Sequence, residues 1–223
     1  MQPANQKFPT NRPRIPRVAS LILIYEGIAD RRSLVKSDEQ LVVCYRDAGQ
    51  ADALDELVAR HLPKVHAVIL AMVLNRSTAD ELTQEVFLKV VRGLAGFRGK
   101  SRFATWLYRV TMNTVYGFLA QQKRSPVVFT GQLPVRFDRS NGRPECAAMR
   151  AELDAAIAAA LRDLAPTLRA AIVLTAMQGL NVRTAAQVEG CSIGTMYWRI
   201  YEARRFLHRR LEQFYFLYHE YAT

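Results

Sequence analysis

The sequence predicts an all-α protein made of two small helical domains (sequence segments 38–124 and 150–223) joined by a flexible linker. Apolar residues recur at helical spacing through both segments, whereas residues 125–149 break the period with three prolines and two glycines. Strand-like alternation is confined to a few residues of that linker. Residues 1–37, with four prolines and scattered arginines, form a flexible basic arm, and the second domain ends in an aromatic tail.

The composition and the motifs favour a soluble protein that is not an enzyme. Half of the residues are hydrophobic, yet the longest apolar run of the two domains, AVILAMVL at 67–74, is far shorter than the roughly 20 residues of a membrane span. The run SLILIY at 20–25 is too short for a signal peptide. The three cysteines lack metal-ligand spacing and read as reduced cytosolic thiols. We therefore expect a cytoplasmic protein with no membrane insertion, no metal, no cofactor and no catalytic residues, because paired carboxylates, a nucleophile beside a histidine and a phosphate loop are all missing.

The first domain begins with a helix capped by Ser37, with acidic residues in its first turn, and continues in the helical pattern of residues 51–74. The next helix, STADELTQEVFLKVVRGL at 77–94, is expected to start from a Ser or Thr cap. Its predicted core face consists of Leu82, Val86, Val90 and Leu94, flanked by Phe87 and Val91. Its opposite face carries Glu81, Glu85 and Lys89 at steps of four.

Residues 94–124 combine six basic residues with six aromatic residues and contain no acid. Helical projection from Phe103 gives a core stripe of Phe103, Leu107, Val110, Thr114 and Phe118, and a second stripe of Arg102, Trp106, Arg109, Asn113 and Tyr116. Cations interleaved with planar rings beside a glycine-containing loop are typical of a surface that stacks unpaired bases. The alternative, in which Trp106 and Tyr108 only pack helices together, stays open but does not explain the missing acids.

The second domain contains a predicted helix-turn-helix between residues 181 and 211. A short helix VRTAAQV leads through Glu189, Gly190 and Cys191 to a helix capped by Ser192. In that helix Ile193, Met196, Ile200, Ala203 and Leu207 form the predicted core stripe, which turns Tyr197, Trp198, Tyr201, Glu202 and Arg205 outward. Exposed aromatics beside arginines suit a groove of bases and phosphates better than bulk water.

Two blocks of the sequence resemble a known family. DELTQEVFLKVVRGLAGFRGKSRFATWLYRVTMN is similar to region two of the extracytoplasmic-function (ECF) sigma factors of the sigma-70 family, and GCSIGTMYWRIYEARRFL is similar to their region four. The resemblance implies an alternative sigma factor that binds core RNA polymerase, at its clamp helices and flap, recognises minus-thirty-five and minus-ten promoter elements and promotes transcription initiation. Promoter DNA and an anti-sigma factor are the other implied partners.

The same resemblance assigns site residues. The helix that docks on the clamp helices in the family corresponds here to the one that contains Asp80, Gln84 and Glu85, which are therefore the expected polymerase-binding residues. In the family, a loop at this point captures an unpaired base of the minus-ten element. The residues matched to minus-ten recognition are Phe97, Arg98, Lys100, Ser101, Arg102, Trp106, Arg109 and Asn113. In the family, the region-four helix enters the major groove at the minus-thirty-five element. The residues matched to this role are Thr195, Tyr197, Trp198, Arg199, Tyr201, Glu202 and Arg205. By analogy, the linker threads toward the polymerase active site.

Departures from the family pattern keep two alternatives open. Tyr197 and Trp198 replace a basic residue and a serine, Glu202 stands where an arginine is common, and Glu189 stands where the first helix of the motif usually ends in an apolar residue. The chain could instead be a stand-alone helix-turn-helix regulator, or a degenerate sigma factor that acts mainly as a protein-interaction module. The promoter sequence cannot be borrowed from relatives.

Overall fold

The computed structural model describes residues 36–124 and 144–220, so the basic arm, most of the linker and the last residues of the aromatic tail lie outside the described residues. The described part of the chain is helical and contains no strand, which confirms the predicted fold class. The helices are α1 Asp38–Ala48, α2 Ala51–Val73, α3 Arg76–Leu94, α4 Phe103–Arg124, α5 Pro144–Asp163, α6 Pro166–Ile172, α7 Val182–Glu189 and α8 Ile193–Glu220, with a π-helical turn at Val173–Met177 after α6.

Contacts within the chain divide it into two compact units between Ala59 and Arg60, inside α2. The first unit contains α1, whose start is fixed by the predicted cap. The Ser37 side chain accepts a hydrogen bond from the Gln40 backbone, and the Gln40 side chain accepts one from the Ser37 backbone. Gly49 ends the helix in the left-handed conformation, with φ of 63°. The sequence therefore encodes both ends of α1.

The second unit contains the packed pair α3 and α4. The predicted core face of α3 is confirmed, because Leu82, Val86, Val90 and Leu94 are all buried. Its predicted cap was wrong: the helix starts at Arg76, two or three residues earlier than a Ser77 or Thr78 cap requires, and the Asn75 side chain accepts the hydrogen bond from the Thr78 backbone. Asn is as good a cap as Ser or Thr, so the type of residue alone did not exclude Asn75, which the sequence analysis did not consider.

The remaining helices of this unit pack around α8, which contacts α5, α6 and α7. Their apolar cluster contains Leu161, Leu164, Ile172 and Ala203 together with Leu74, the residue that follows α2. Leu74 has a φ of 57°, a left-handed conformation that is uncommon for a residue other than glycine. This turn directs the end of α2 into the core of the second predicted domain.

Arg169 of α6 lies beside this cluster and is buried. Its guanidinium donates to the carbonyl oxygens of Met72, Arg162 and Leu164. Burial lowers the pKa of Arg169 from its usual value. Since three backbone acceptors surround one cation, Arg169 joins the end of α2 to the α5–α6 turn.

Helix α4 of the first predicted domain also contacts α7 of the second. Tyr108 donates its hydroxyl to Gln178 Oε1 over 3.1 Å, and Arg109 Nε donates to the Gln187 carbonyl over 2.7 Å. The two predicted domains are thus in direct contact within the second compact unit.

Candidate nucleic-acid interface

The loop between α3 and α4 is held by an aromatic cluster. The ring of Phe103 lies edge-on to His61 and Phe97, with centroids 5.4 and 6.0 Å away, and 5.8 Å from the ring of Trp106. Trp106 is half-buried and also touches Gly93, where an added Cβ would lie 3.0 Å from the indole ring. A side chain at position 93 would therefore require the indole ring to shift by a few tenths of an ångström.

The structure divides the predicted minus-ten residues between support and surface. Phe97 is only 8% exposed, so its ring belongs to the core and supports the loop from beneath. The side chains of Arg98, Lys100, Arg102, Arg109 and Asn113 are exposed, and Ser101 and Trp106 are half-buried. The burial of Phe97 was not predicted from the sequence, because Phe97 lies in a loop and a loop has no helical period that would show which side chains are buried.

The predicted core stripe of α4 is largely confirmed. Phe103, Leu107 and Thr114 are buried, whereas Val110 and Phe118 are half-buried. Tyr108 is also buried, so the alternative in which it packs helices together holds for this residue. The basic side chains of the loop therefore lie above a packed aromatic cluster.

The helix-turn-helix forms as predicted. Helix α7 ends at Gly190, whose φ is 63°, and the Ser192 hydroxyl accepts a hydrogen bond from the Thr195 backbone at the start of α8. Met196, Ile200 and Ala203 of the predicted core stripe are buried, and Leu207 is half-buried. Ile193 is 40% exposed, so its placement in the core was wrong. It is the first residue of α8 and lies at the rim of a cleft shared with Val182 and Tyr197, where no further helical turn covers it.

The outward face of α8 carries a large aromatic patch. Tyr197, Trp198 and Tyr201 are 60%, 59% and 62% exposed, and Arg204 and Arg205 beside them are exposed too. Trp198 is therefore not a core residue. The predicted outward orientation is therefore confirmed for the three rings and for Arg205, and the adjacent Thr195 is exposed as well.

Three predicted minus-thirty-five residues, Arg199, Glu202 and Arg205, form ion pairs within the protein. Glu202 is half-buried and accepts from Arg205 over 2.9 Å, one turn away on the same helix. Arg199, whose side chain is 18% exposed, donates to Glu189 Oε2 over 3.1 Å. In this form of the chain Arg199 is directed toward α7 rather than outward.

Glu189 is the centre of a buried polar cluster. Its side chain is 2% exposed, and Oε2 accepts from both Arg199 and the Tyr116 hydroxyl, the latter over 2.7 Å. Its Oε1 is buried without a hydrogen-bond partner. Burial raises the pKa of Glu189, against the opposing effects of Tyr116 and Arg199, and raises that of Tyr116 as well. The acidic departure from the family pattern thus joins α4, α7 and α8.

The predicted polymerase-binding residues lie on the exposed side of α3. Asp80, Gln84 and Glu85 are all exposed, and Glu85 pairs with Lys89 over 2.7 Å. Asp80 also contacts α2, because its Oδ1 lies 2.8 Å from His66 Nε2. The two residues are 14 positions apart, so no local sequence pattern predicts this hydrogen bond.

The described residues offer no helix that is long and apolar enough to cross a membrane. Within the same part of the chain, no group of three His, Cys, Asp or Glu side chains is placed to hold a metal ion.

Comparison with known proteins identifies both halves of the chain. The family Sigma-70 region 2 matches residues 57–125, and the family Sigma-70, region 4 matches residues 154–207. The RNA polymerase sigma-H factor of Pseudomonas aeruginosa is 31% identical over 189 residues, which cover 80% of this chain and 96% of that protein. The ECF RNA polymerase sigma-E factor of Escherichia coli (strain K12) is 31% identical over 181 residues, covering 78% of this chain and 94% of that protein.

Solved structures give the same result for the fold. CnrH, in complex with the cytosolic domain of CnrY, is 26% identical with a TM-score of 0.59, and the match covers 79% of this chain and 98% of CnrH. The sigma factor RpoE of Bartonella quintana, in complex with the anti-sigma factor NepR, has the same TM-score at 23% identity, covering 70% and 95% of the two chains.

Both regions occur in the expected order, and the relatives match over nearly their whole length, which favours a sigma factor over a stand-alone regulator or a degenerate interaction module. The chain belongs to the extracytoplasmic-function sigma factors of the sigma-70 family.

Proposed function

We propose that this sigma factor directs core RNA polymerase to promoters through three surfaces of its own: the exposed side of α3, the loop and outer face of α4, and the aromatic patch of α8. The observation that carries the proposal is that each of these surfaces presents exposed side chains of suitable chemistry. The protein acts without catalysis, in the bacterial cytoplasm, and an anti-sigma factor is its expected regulator, as the complexes of CnrH and RpoE suggest.

The energetics of promoter opening agree with a subunit rather than an independent activator. Separating about five base pairs costs roughly 7 kcal/mol at about 1.4 kcal/mol for each step. One or two bases captured by the α3–α4 loop return roughly 1 to 3 kcal/mol each by stacking. The polymerase must therefore supply the remaining contacts.

Reconstituted transcription tests the whole proposal. Transcript starts mapped after overexpression give the candidate promoters, because their aligned upstream regions contain both elements. The purified chain added to core RNA polymerase should then produce transcripts from these promoters. Absence of a promoter-dependent transcript, together with absence of binding to core polymerase, would refute the proposal.

Charge reversal tests the polymerase surface on α3. We expect Glu85→Lys to weaken the affinity for core RNA polymerase roughly 10-fold or more, since an interface built for a carboxylate disfavours a cation. Loss of the exposed Glu85–Lys89 pair itself has little effect on stability. Fluorescence anisotropy of the labelled chain measures the affinity. Glu152→Lys, an equal charge change at an exposed position of α5, is the control, and equal weakening by both variants would contradict the assignment.

Two further variants separate strand opening from duplex binding. We expect Trp106→Ala to reduce promoter opening more than duplex binding, because its indole forms part of the rigid base under the loop. We expect Arg205→Ala to weaken duplex binding itself, roughly 10- to 100-fold as for an arginine that contacts bases.

Permanganate footprinting and gel-shift titration of the holoenzyme measure the two steps. Arg162→Ala, which removes one exposed arginine from α5, controls for the loss of positive charge. Equal losses in both assays for both variants would refute the division between the two surfaces.

A further inference from the structure

The outward face of α8 concentrates exposed apolar surface. Tyr197, Trp198 and Tyr201 are the most exposed large hydrophobic side chains among the described residues. Tyr201 lies one turn beyond both Tyr197 and Trp198, so the three rings are neighbours on the surface of the helix. Ile193, at the start of the same helix, is exposed as well. Contiguous apolar surface of this kind marks an interaction site.

The charge of α8 favours nucleic acid as the partner of these rings. Between residues 193 and 212 the helix carries five arginines and only two glutamates. Arg204 and Arg205 flank the rings, and both are exposed. A surface that combines planar rings with an excess of cations complements a groove bordered by phosphates. An apolar protein surface would not use these charges.

Positions 197 and 198 lack the side chains that usually recognise bases by hydrogen bonding. Arginine and lysine pair with guanine, and asparagine and glutamine pair with adenine, through two hydrogen bonds each. Tyr197 and Trp198 instead carry one polar atom each on a large apolar ring. Arg199, on the same turn, is directed to Glu189. Recognition at this turn of α8 therefore depends on apolar contact.

The major groove presents one kind of apolar group, the C5 methyl group of thymine. The other groups on the base edges are hydrogen-bond donors and acceptors. A ring carbon placed against such a donor or acceptor removes water from it without replacing the hydrogen bond. A ring placed against a methyl group buries apolar surface on both partners instead. Thymine is therefore the base that complements these two rings.

The position of the two rings along α8 agrees with contact to bases. Side chains near the N-terminus of a recognition helix are the ones that reach base edges. Tyr197 and Trp198 are the fifth and sixth residues of α8 and lie in its second turn. The buried Met196 and Ile200 on either side anchor this turn in the protein and leave the rings outside.

We propose that Tyr197 and Trp198 contact thymine methyl groups in the minus-thirty-five element, and that these contacts make the sigma factor select A·T pairs beneath the second turn of α8. The inference rests on the proposed function, since it requires α8 to lie in the major groove of that element. It adds the chemical group that is recognised and the two side chains that recognise it.

Replacement of thymine by deoxyuridine tests the proposal, because it removes the C5 methyl group and keeps the hydrogen-bonding groups of the base. Each thymine on either strand of a mapped minus-thirty-five element is replaced in turn. Competition gel-shift titration of the holoenzyme measures the affinities. We expect the affinity to fall roughly 4-fold for each methyl group that a ring contacts, the effect of exposing one methylene-sized apolar group.

Variants of the two rings identify the side chains that contact the methyl groups. Tyr197→Ala and Trp198→Ala should each abolish the difference between thymine and deoxyuridine at the base that the missing ring contacts. Tyr197→Phe should retain the difference, since the ring makes the contact. Val43→Ala, which truncates an exposed apolar side chain of α1, is the control and should retain it too. Both DNAs are compared with the same protein, so effects on stability or polymerase binding cancel in the ratio.

The outcomes separate this inference from the proposed function. Equal affinities of the wild-type holoenzyme for thymine and deoxyuridine at every position would overturn the inference, as would a difference that persists in both alanine variants. If Trp198→Ala also weakens binding to core polymerase while the wild type shows no such difference, the rings form a protein contact instead. A holoenzyme that does not form or does not transcribe counts against the proposed function, whereas one that transcribes but ignores the methyl groups refutes the inference alone.

Discussion

Replacing Phe103 with alanine should lower the free energy of unfolding by about 3–5 kcal/mol, the range for deleting a large aromatic side chain from a core. Phe103 is 1% exposed and its ring contacts those of His61, Phe97 and Trp106. Its removal leaves a cavity beneath the α3–α4 loop and frees the indole to move. Promoter opening should fall with stability, because the loop loses its rigid base.

Urea unfolding of the full chain, followed by circular dichroism, measures the loss. Tyr197→Ala is the matched control, since it truncates an aromatic ring that is 60% exposed and should change stability by no more than about 0.5 kcal/mol. Phe103→Leu should recover part of the stability by filling part of the cavity. A difference below about 1 kcal/mol between the two alanine variants would contradict this role of Phe103.

Arg169→Ala should destabilise the protein by at least about 3 kcal/mol. The substitution leaves the carbonyl oxygens of Met72, Arg162 and Leu164 without this donor, and each buried polar group that loses its partner costs about 1–3 kcal/mol. It also opens a cavity beside the cluster that contains Leu74. The end of α2 should then detach from α6.

The same urea titration measures this effect, with Arg162→Ala as the control, because it removes an exposed guanidinium seven residues away. Arg169→Lys should retain part of the stability, since an ammonium group still donates but cannot match the planar fork of the guanidinium. Equal stabilities for Arg162→Ala and Arg169→Ala would show that the three carbonyls find other donors.

Local features of the sequence were predicted well. Ser37 and Ser192 cap the helices that follow them, and the buried faces of α3 and α8 follow the apolar period, apart from Ile193. Such features depend on the residue itself and on neighbours within one turn, which a period of 3.6 residues makes readable. The exposure of the aromatic rings on α8 was predicted because the apolar stripe of that helix already accounted for its core face.

Predictions that depended on distant neighbours were less complete. Phe97 carries no sign in the sequence that Phe103 and Trp106 cover it. The expected Ser or Thr cap of α3 was wrong, because the preceding turn through Leu74 puts Asn75 at the start of the helix. His66 and Arg169 have partners, Asp80 and Met72, that lie 14 and 97 residues away, beyond any local pattern.

The sequence by itself determined the helical class, the order of two sigma regions and the outward face of the recognition helix, because periodicity, capping and motif spacing are local properties of the chain. Only the tertiary structure decided what Glu189 does. Its bonds to Tyr116, 73 residues away, and to Arg199 on the next helix make this acidic residue a link between two surfaces that we propose bind promoter DNA. Burial is set by the neighbours that folding brings together, so the role of a buried carboxylate cannot be read from its own position.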